Sequence, residues 1–320
     1  MRRYVIRRLV QAVGVLWAAY TLSFFILVLL PGDPVSAMAG AGADSAPVDP
    51  ARLEALRHEY GFDQPVPLQY LNHLGHALIG DLGDSVATGR PVTQLITQAL
   101  PQTLLLTASA LTLAFVLGGG LALAATFSSR PGVRQLLLSL PPLGVSVPTF
   151  WIGLMLVQFF SFRNQWFPAF GNDGLKGLVL PAVTLAVPTG AQIALVLAKS
   201  LITTLDEPYI GTARAKGAGR RHVHLRHALR NASLPALTVA GLLVGQLMAN
   251  AVVIETVFSR NGLGRVTQSA VNTQDIPVVQ GVVVYGALVF VVVNLLVDLV
   301  YPALDPRIVL APRRPVVAAA

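Results

Sequence analysis

Cysteine is absent from the 320 residues, which removes disulfides, thiolate metal sites and cysteine nucleophiles together. Charge is scarce: Asp, Glu, Lys and Arg make up 12% of the chain, against roughly 25% in soluble domains. Lysine is rarer still. Lys176, Lys199 and Lys216 follow Leu, Ala and Ala, so the chain has no G-x-x-x-x-G-K-[ST] phosphate cradle, and nucleotide-driven work would need a partner. Ionisable residues are also missing from the middle of the apolar blocks. Lys199, Glu255 and Asp298 stand at block ends, where lysine snorkels and carboxylates reach water, which disfavours a proton- or ion-coupled carrier.

What is present is apolar sequence: 54% of residues are hydrophobic and the mean hydropathy is +0.64. The apolar residues gather into six blocks, Leu9–Leu30, Ala99–Phe127, Leu136–Phe162, Gly177–Ala198, Ala232–Ile254 and Ile276–Val297. Each meets the need of about 20 residues for a bilayer crossing. The first block follows Arg2, Arg3, Arg7 and Arg8 and runs 22 residues, longer than the about 7–15 of a secretory signal, so it reads as a retained span.

Loop charges orient the spans. Besides the four N-terminal arginines, Arg130 and Arg134, the cluster from Lys199 to Arg230, and Arg307, Arg313 and Arg314 all fall on one side of an alternating six-span path. Seven of the 23 Lys and Arg remain for the other side. By the positive-inside rule both termini are cytoplasmic. The net charge of +8 is then a property of orienting loops, and no nucleic-acid partner is expected. The fold class expected is an all-α membrane protein of six transmembrane helices, with a helical extracytoplasmic segment between spans one and two. In that segment Pro50–Tyr60 and Gln69–Leu78 read as short helices. Leu53, Leu56, Tyr60, Leu71, Leu74 and Leu78 give them apolar faces to bury, which favours an external cap over a simple linker.

Between spans four and five lies a basic island. Asp206 and Glu207 followed by Pro208 suit a helix start, with acids at the positive end of the dipole and a proline whose missing N–H costs nothing there. Arg214 and Lys216 suit the last turn, and Gly217 a left-handed cap. A helix of about ten residues across the membrane surface follows, with a second basic helix from about Arg220 to Arg230 leading back to Pro235. Physical chemistry leaves two uses open: docking of a cytoplasmic partner, or attraction to anionic lipid at about 1 kcal/mol per charge. His222, His224 and His227 form H-x-H-x-x-H, but the first two are about 200° apart on a helix and lie among arginines, so a metal site is not expected.

The island, from Tyr209 to Thr238, carries Thr-Ala-Arg-Ala-Lys-Gly, then Arg-His-Ala-Leu-Arg-Asn-Ala and Leu-Pro. It resembles the cytoplasmic motif of ABC importer permeases of the dipeptide/oligopeptide (and nickel) branch. The likeness extends along the chain in order: Leu30-Pro31-Gly32-Asp33-Pro34, Gly80-Asp81-Leu82-Gly83, Gly89-Arg90-Pro91-Val92, Glu255-Thr256-Val257-Phe258-Ser259, Gly262-Leu263-Gly264 and Leu304-Asp305-Pro306-Arg307. It departs where the family usually has Pro and this chain has Asn261. It departs again at Lys199, near an arginine position, and at Ala218, Gly219 and Arg220, in place of Leu, Ser and Glu.

The resemblance implies a bacterial inner-membrane subunit without catalysis or cofactor of its own. Its partners would be a second homologous permease, two ATPase subunits carrying ATP and Mg, and an extracytoplasmic peptide-binding protein, with a peptide as substrate. Glu207, Tyr209, Ala213, Arg214, Ala215, Lys216 and Gly217 would form the coupling helix. The divisions implied are 1–30, the N-terminus and first span; 31–98, extracytoplasmic; 99–301, the core permease with its coupling loop 201–231; and 302–320, the tail. Pro141, Pro142, Pro148, Pro181 and Pro188 lie within the third and fourth spans. They either bend those helices or border a cavity, and Gln192, Gln246 and Asn250 are candidates for a peptide pathway.

Overall fold

The computed structural model describes residues 2–29, 50, 51, 54, 57, 63–172 and 174–304. The expected outer helix Pro50–Tyr60, the Pro31–Pro34 turn and the tail beyond Leu304 lie largely or wholly outside these residues. Among the described residues the chain is helical, apart from one antiparallel bridge between Asp84 and Pro91. The helices are α1 (Arg2–Leu29), α2 (Val66–Leu78), α3 (Val92–Phe127), α4 (Pro131–Ser146), α5 (Thr149–Arg163), α6 (Lys176–Leu205), α7 (Pro208–Ala215), α8 (Arg220–Val257), α9 (Leu263–Asn272) and α10 (Ile276–Leu304). Five stretches are long and apolar enough to cross a membrane: Ile6–Leu27 in α1, Ile276–Leu296 in α10, and the whole of α3, α6 and α8.

The third apolar block is not one straight span. It is the pair α4 and α5, bent by 100°. The break sits at Val147, whose φ of −88° and ψ of 130° are extended because Pro148 crowds the helical conformation of the residue before it. The pair nevertheless carries the chain from one end of the bundle to the other. Arg134 lines a cavity with Leu205 at the end of α6. Gly171, beyond α5, donates its N–H to the Phe258 carbonyl beyond the far end of α8. A second expectation also changes. The basic stretch Arg220–Arg230 is not a separate helix but the first turns of α8, wound through a π-type segment over Val223–Ala228 and continuous into the apolar part.

α3 and α6 form the centre. Ala110, Ala114, Gly118 and Ala122 recur every fourth residue on the buried stripe of α3 and let α6 approach closely. A Cβ on Gly118 would run into the Gly190 carbonyl, and one on Gly190 would lie 3.0 Å from the Ala114 carbonyl. In this apolar setting Thr107, Thr126, Thr184 and Thr189 each donate their hydroxyl to the carbonyl four residues back, which leaves none of them unsatisfied. α8 packs on α6, and α1 lies against α10 at the edge. Pro181 and Pro188 sit inside α6 and Pro235 inside α8 without ending either helix.

Candidate functional site

At one end of the bundle α7 stands where local signals put it. Glu207 is its N-cap, in extended conformation, and Pro208 its first residue. Gly217 closes it with φ of 83°, donating its N–H to the Arg214 carbonyl at 2.9 Å, while Ala218 donates to the Ala213 carbonyl at 3.1 Å. These bonds satisfy the last carbonyls through a left-handed residue, a conformation glycine adopts without strain. Glu207, Tyr209, Arg214, Ala215, Lys216 and Gly217 are exposed and Ala213 is half-buried, so one short helix presents all seven residues singled out from the sequence.

The helix is anchored from behind, first by a residue outside those seven. Ile210, the large aliphatic residue of an otherwise polar stretch, is wholly buried and packs with Leu201, Val223 and Ala228. The Tyr209 hydroxyl donates to the His227 carbonyl at 3.3 Å and accepts from Asn231 Nδ2 at 2.9 Å. His224 is buried, its ring nitrogens 3.2 Å from the carbonyls of Arg220 and Thr126 and its ring edge-on to Phe127. That is the role of a structural histidine tying α8 to the end of α3. Arg220 lies 4.9 Å above the Phe127 ring and donates to the Phe127 carbonyl and the Ser129 hydroxyl. A cavity of about 530 Å³ opens beside these residues, with Arg134, Asp206 and Arg214 on its wall.

The pathway candidates are more dispersed. Gln246 is exposed and Asn250 half-buried one turn further along α8. Gln246 belongs to a stripe with Leu242, Ala249 and Val253 that this chain's own helices leave uncovered. Gln192 is half-buried on α6, which packs against α8.

The opposite end holds a buried polar knot that corrects the reading of Glu255 as a water-facing carboxylate. Glu255 is 0% exposed. It accepts from the Thr103 hydroxyl at 2.7 Å and the Gly264 N–H at 2.6 Å, and the Thr103 oxygen in turn accepts from the Leu263 N–H at 2.8 Å. Arg260, 2% exposed, donates to the Gly177 and Gly171 carbonyls at 2.8 and 3.3 Å. Burial lowers the affinity of its guanidinium for the proton, and the Glu255 charge opposes that. Asp275, 2% exposed, accepts from the Ser85 hydroxyl at 2.6 Å and so fastens the turn before α3 to the start of α10.

Comparison with known proteins decides what this bundle is. Residues 114–310 match the family described as "Binding-protein-dependent transport system inner membrane component", and residues 1–107 match its N-terminal companion. The chain belongs to that family. It is 37% identical over 313 residues to a probable peptide ABC transporter permease of Sinorhizobium fredii, covering 95% of this chain and 98% of the relative. It is 36% identical over 309 residues to the glutathione transport system permease protein of Salmonella typhimurium, covering 96% and 99%. The fold is similar to that of a chain of the MetNI methionine ABC transporter solved in inward-facing conformations, with a TM-score of 0.57, 18% identity, and coverage of 66% of this chain and 97% of that one.

The permease is thus an inner-membrane, multi-pass ABC transporter subunit, and one of its departures from the usual motif has a local counterpart in the structure. Where proline is usual, Asn261 donates its backbone N–H to Asn172 Oδ1 at 2.8 Å, a bond no proline could make. Its side chain accepts from Arg265 at 2.8 Å. Asn172→Ala should therefore cost the permease about 1 kcal/mol, the worth of one hydrogen bond. The readout is a lowered thermal midpoint in detergent; an unchanged midpoint would remove the bond as the reason that proline is absent here.

Proposed function

We propose that the permease is one of two homologous membrane subunits of an ATP-driven importer of short peptides. In this reading it crosses the membrane six times, α4 and α5 together making the third crossing, with both termini cytoplasmic as the loop charges require. The observation that carries the proposal is α7. It is a short exposed helix with a basic end, pinned from behind by Ile210 and stopped by a left-handed Gly217, built to meet another surface rather than to cross lipid.

Glu207, Tyr209, Ala213, Arg214, Ala215, Lys216 and Gly217 make that contact with one of two cytoplasmic ATPase subunits, which bind and hydrolyse ATP with Mg. The second permease supplies the other half of the path and lies against the uncovered stripe of α8. An extracytoplasmic binding protein delivers substrate to the face formed by parts of 31–98 and 259–278. The peptide class is supported by the relatives named for peptides and for glutathione, itself a tripeptide. Gln192, Gln246 and Asn250 offer amides to a peptide backbone along this path.

The deciding experiment is purification of the tagged chain from native membranes in mild detergent, followed by mass spectrometry and peptide uptake in liposomes. Recovery of two Walker-type ATPases and a second permease is expected. A chain that purifies alone and still transports would be a self-sufficient carrier whose basic loop only holds lipid. Within the complex, Asn250→Leu should lower peptide uptake roughly fivefold, the equivalent of one lost hydrogen bond of about 1 kcal/mol. Assembly should be intact; unchanged uptake removes Asn250 from the path.

A further inference from the structure

The helix α2 does not bury the apolar face that its sequence offers. Leu71 and Leu78, expected to pack inward, are 60% and 80% exposed, and Leu68 is 51% exposed. Successive residues of a helix step by about 100°, which divides α2 into three sectors. Tyr70, Leu74 and Ala77 are half-buried on one, toward the protein. Leu68, Leu71 and Leu78 occupy a second. Asn72 and His76 occupy a third, where they make polar bonds to Gln64 and Asp81. A helix at a water–protein boundary needs two sectors; three imply a third medium.

The level of α2 identifies that medium. The Tyr70 hydroxyl shares a hydrogen bond of 2.8 Å with the hydroxyl of Thr21 on α1. The Tyr70 ring packs on Tyr20, Phe24 and Phe25, with centroids 6.2, 5.4 and 5.9 Å away, and His73 reaches Phe24. Tyr20 lies beside Gln280 of α10, four residues and so about 6 Å inside the start of that helix at Ile276. The contact runs through a single turn of α2, Tyr70 to His73, against Tyr20 to Phe25, so α2 crosses α1 rather than running beside it. Its axis therefore lies near the boundary between acyl chains and headgroups, the depth at which amphipathic helices settle, about 5–10 Å into the interface.

We infer that α2 is an in-plane interfacial helix, its Leu68, Leu71 and Leu78 sector inserted among the acyl chains of the leaflet at the end of the bundle opposite α7. The occupant of this face is phospholipid, not a soluble partner. The contact anchors the start of α3 at a fixed depth, since Asp81, just beyond α2, accepts the Gly83 N–H and the Gly83 carbonyl receives the Val92 N–H. The inference rests on the membrane-spanning helices alone and holds whatever solute is moved.

The absence of cysteine makes the test direct. Leu71→Cys and Leu78→Cys are compared with Asn72→Cys and His76→Cys in the full-length chain, in native membranes containing the whole transporter. Each is reacted with a membrane-impermeant maleimide from the α2 side, and with a fluorophore quenched by phospholipid carrying a spin label near the headgroup. Positions 71 and 78 should react about tenfold more slowly and be quenched by the labelled lipid, as acyl-chain burial requires. Positions 72 and 76 should react fast and escape quenching. Equal rates at all four positions would put the face in water and overturn the inference. Slow reaction at 71 and 78 without quenching would mean that protein covers the face, and would overturn it equally. Retained full-length chain and transport in each variant show that the fold is unchanged.

Discussion

Gly217→Pro should abolish ATP-driven uptake while leaving the permease folded and assembled. Gly217 holds φ at 83°, and its N–H closes the last turn of α7. Proline fixes φ near −65° and has no N–H, so it can neither adopt the cap nor make the bond, at a cost of about 3 kcal/mol or more. That shifts the loop away from its present conformation by roughly a hundredfold. The damage stays local, because nothing lies within 4 Å of a side chain built at this position. Gly219→Ala is the matching control: the site is equally open and the backbone has φ of −66°, which any residue adopts. Normal membrane levels and normal recovery of the second permease are expected in both variants, with transport lost only in Gly217→Pro. Normal uptake by Gly217→Pro would overturn the assignment of α7 as the coupling element.

The contrast between α7 and the rest shows which parts of this chain can be read without coordinates. α7 was legible because its determinants are local: Glu207-Pro208 at the start, Arg214 near the end, Gly217 just past it. The long apolar helices were legible from length alone. The bend was not. Five prolines lie in the third and fourth blocks, and only Pro148 breaks a helix, because Pro141 and Pro142 are absorbed within α4 and Pro181 and Pro188 within α6. Which proline yields depends on packing around it, which spacing does not reveal. The run Arg220–Arg230 misled for the opposite reason. Its charges suggested a surface helix of its own, yet buried Val223, His224 and Ala228 tie it to α3, α6 and α7 and keep it in register with α8. Ile210 did carry a signal, being a lone aliphatic among polar residues. The α2 face misled because an apolar sector does not say whether protein or lipid will cover it.

The Glu255 knot was hidden by distance, since Thr103 is 152 residues away, and it carries the second large effect. Gly262 and Gly264 are glycines there for steric reasons. A Cβ at Gly262 would occupy the space of the Glu255 carboxylate, and one at Gly264 would lie 2.6 Å from the Val252 backbone. Gly262→Ala therefore expels the carboxylate. Thr103 and the Gly264 N–H then lose their acceptor, and Arg260 loses its only nearby opposite charge among the described residues. Breaking a buried charge interaction in this way costs about 3–5 kcal/mol. Glu255→Gln is milder. It removes the same charge but displaces nothing: the amide oxygen can still accept from Thr103, while its NH2 faces the Gly264 N–H and leaves both of those donors unpaired, at about 1–3 kcal/mol per donor. Thermal unfolding of the purified permease should rank the variants wild type, Glu255→Gln, Gly262→Ala, with the last also the least abundant in the membrane. The reverse order, or wild-type stability in Gly262→Ala, would mean that the loop after α8 can move aside. In that case Glu255 would not be what holds α3, α8 and α9 together at the end of the bundle opposite α7.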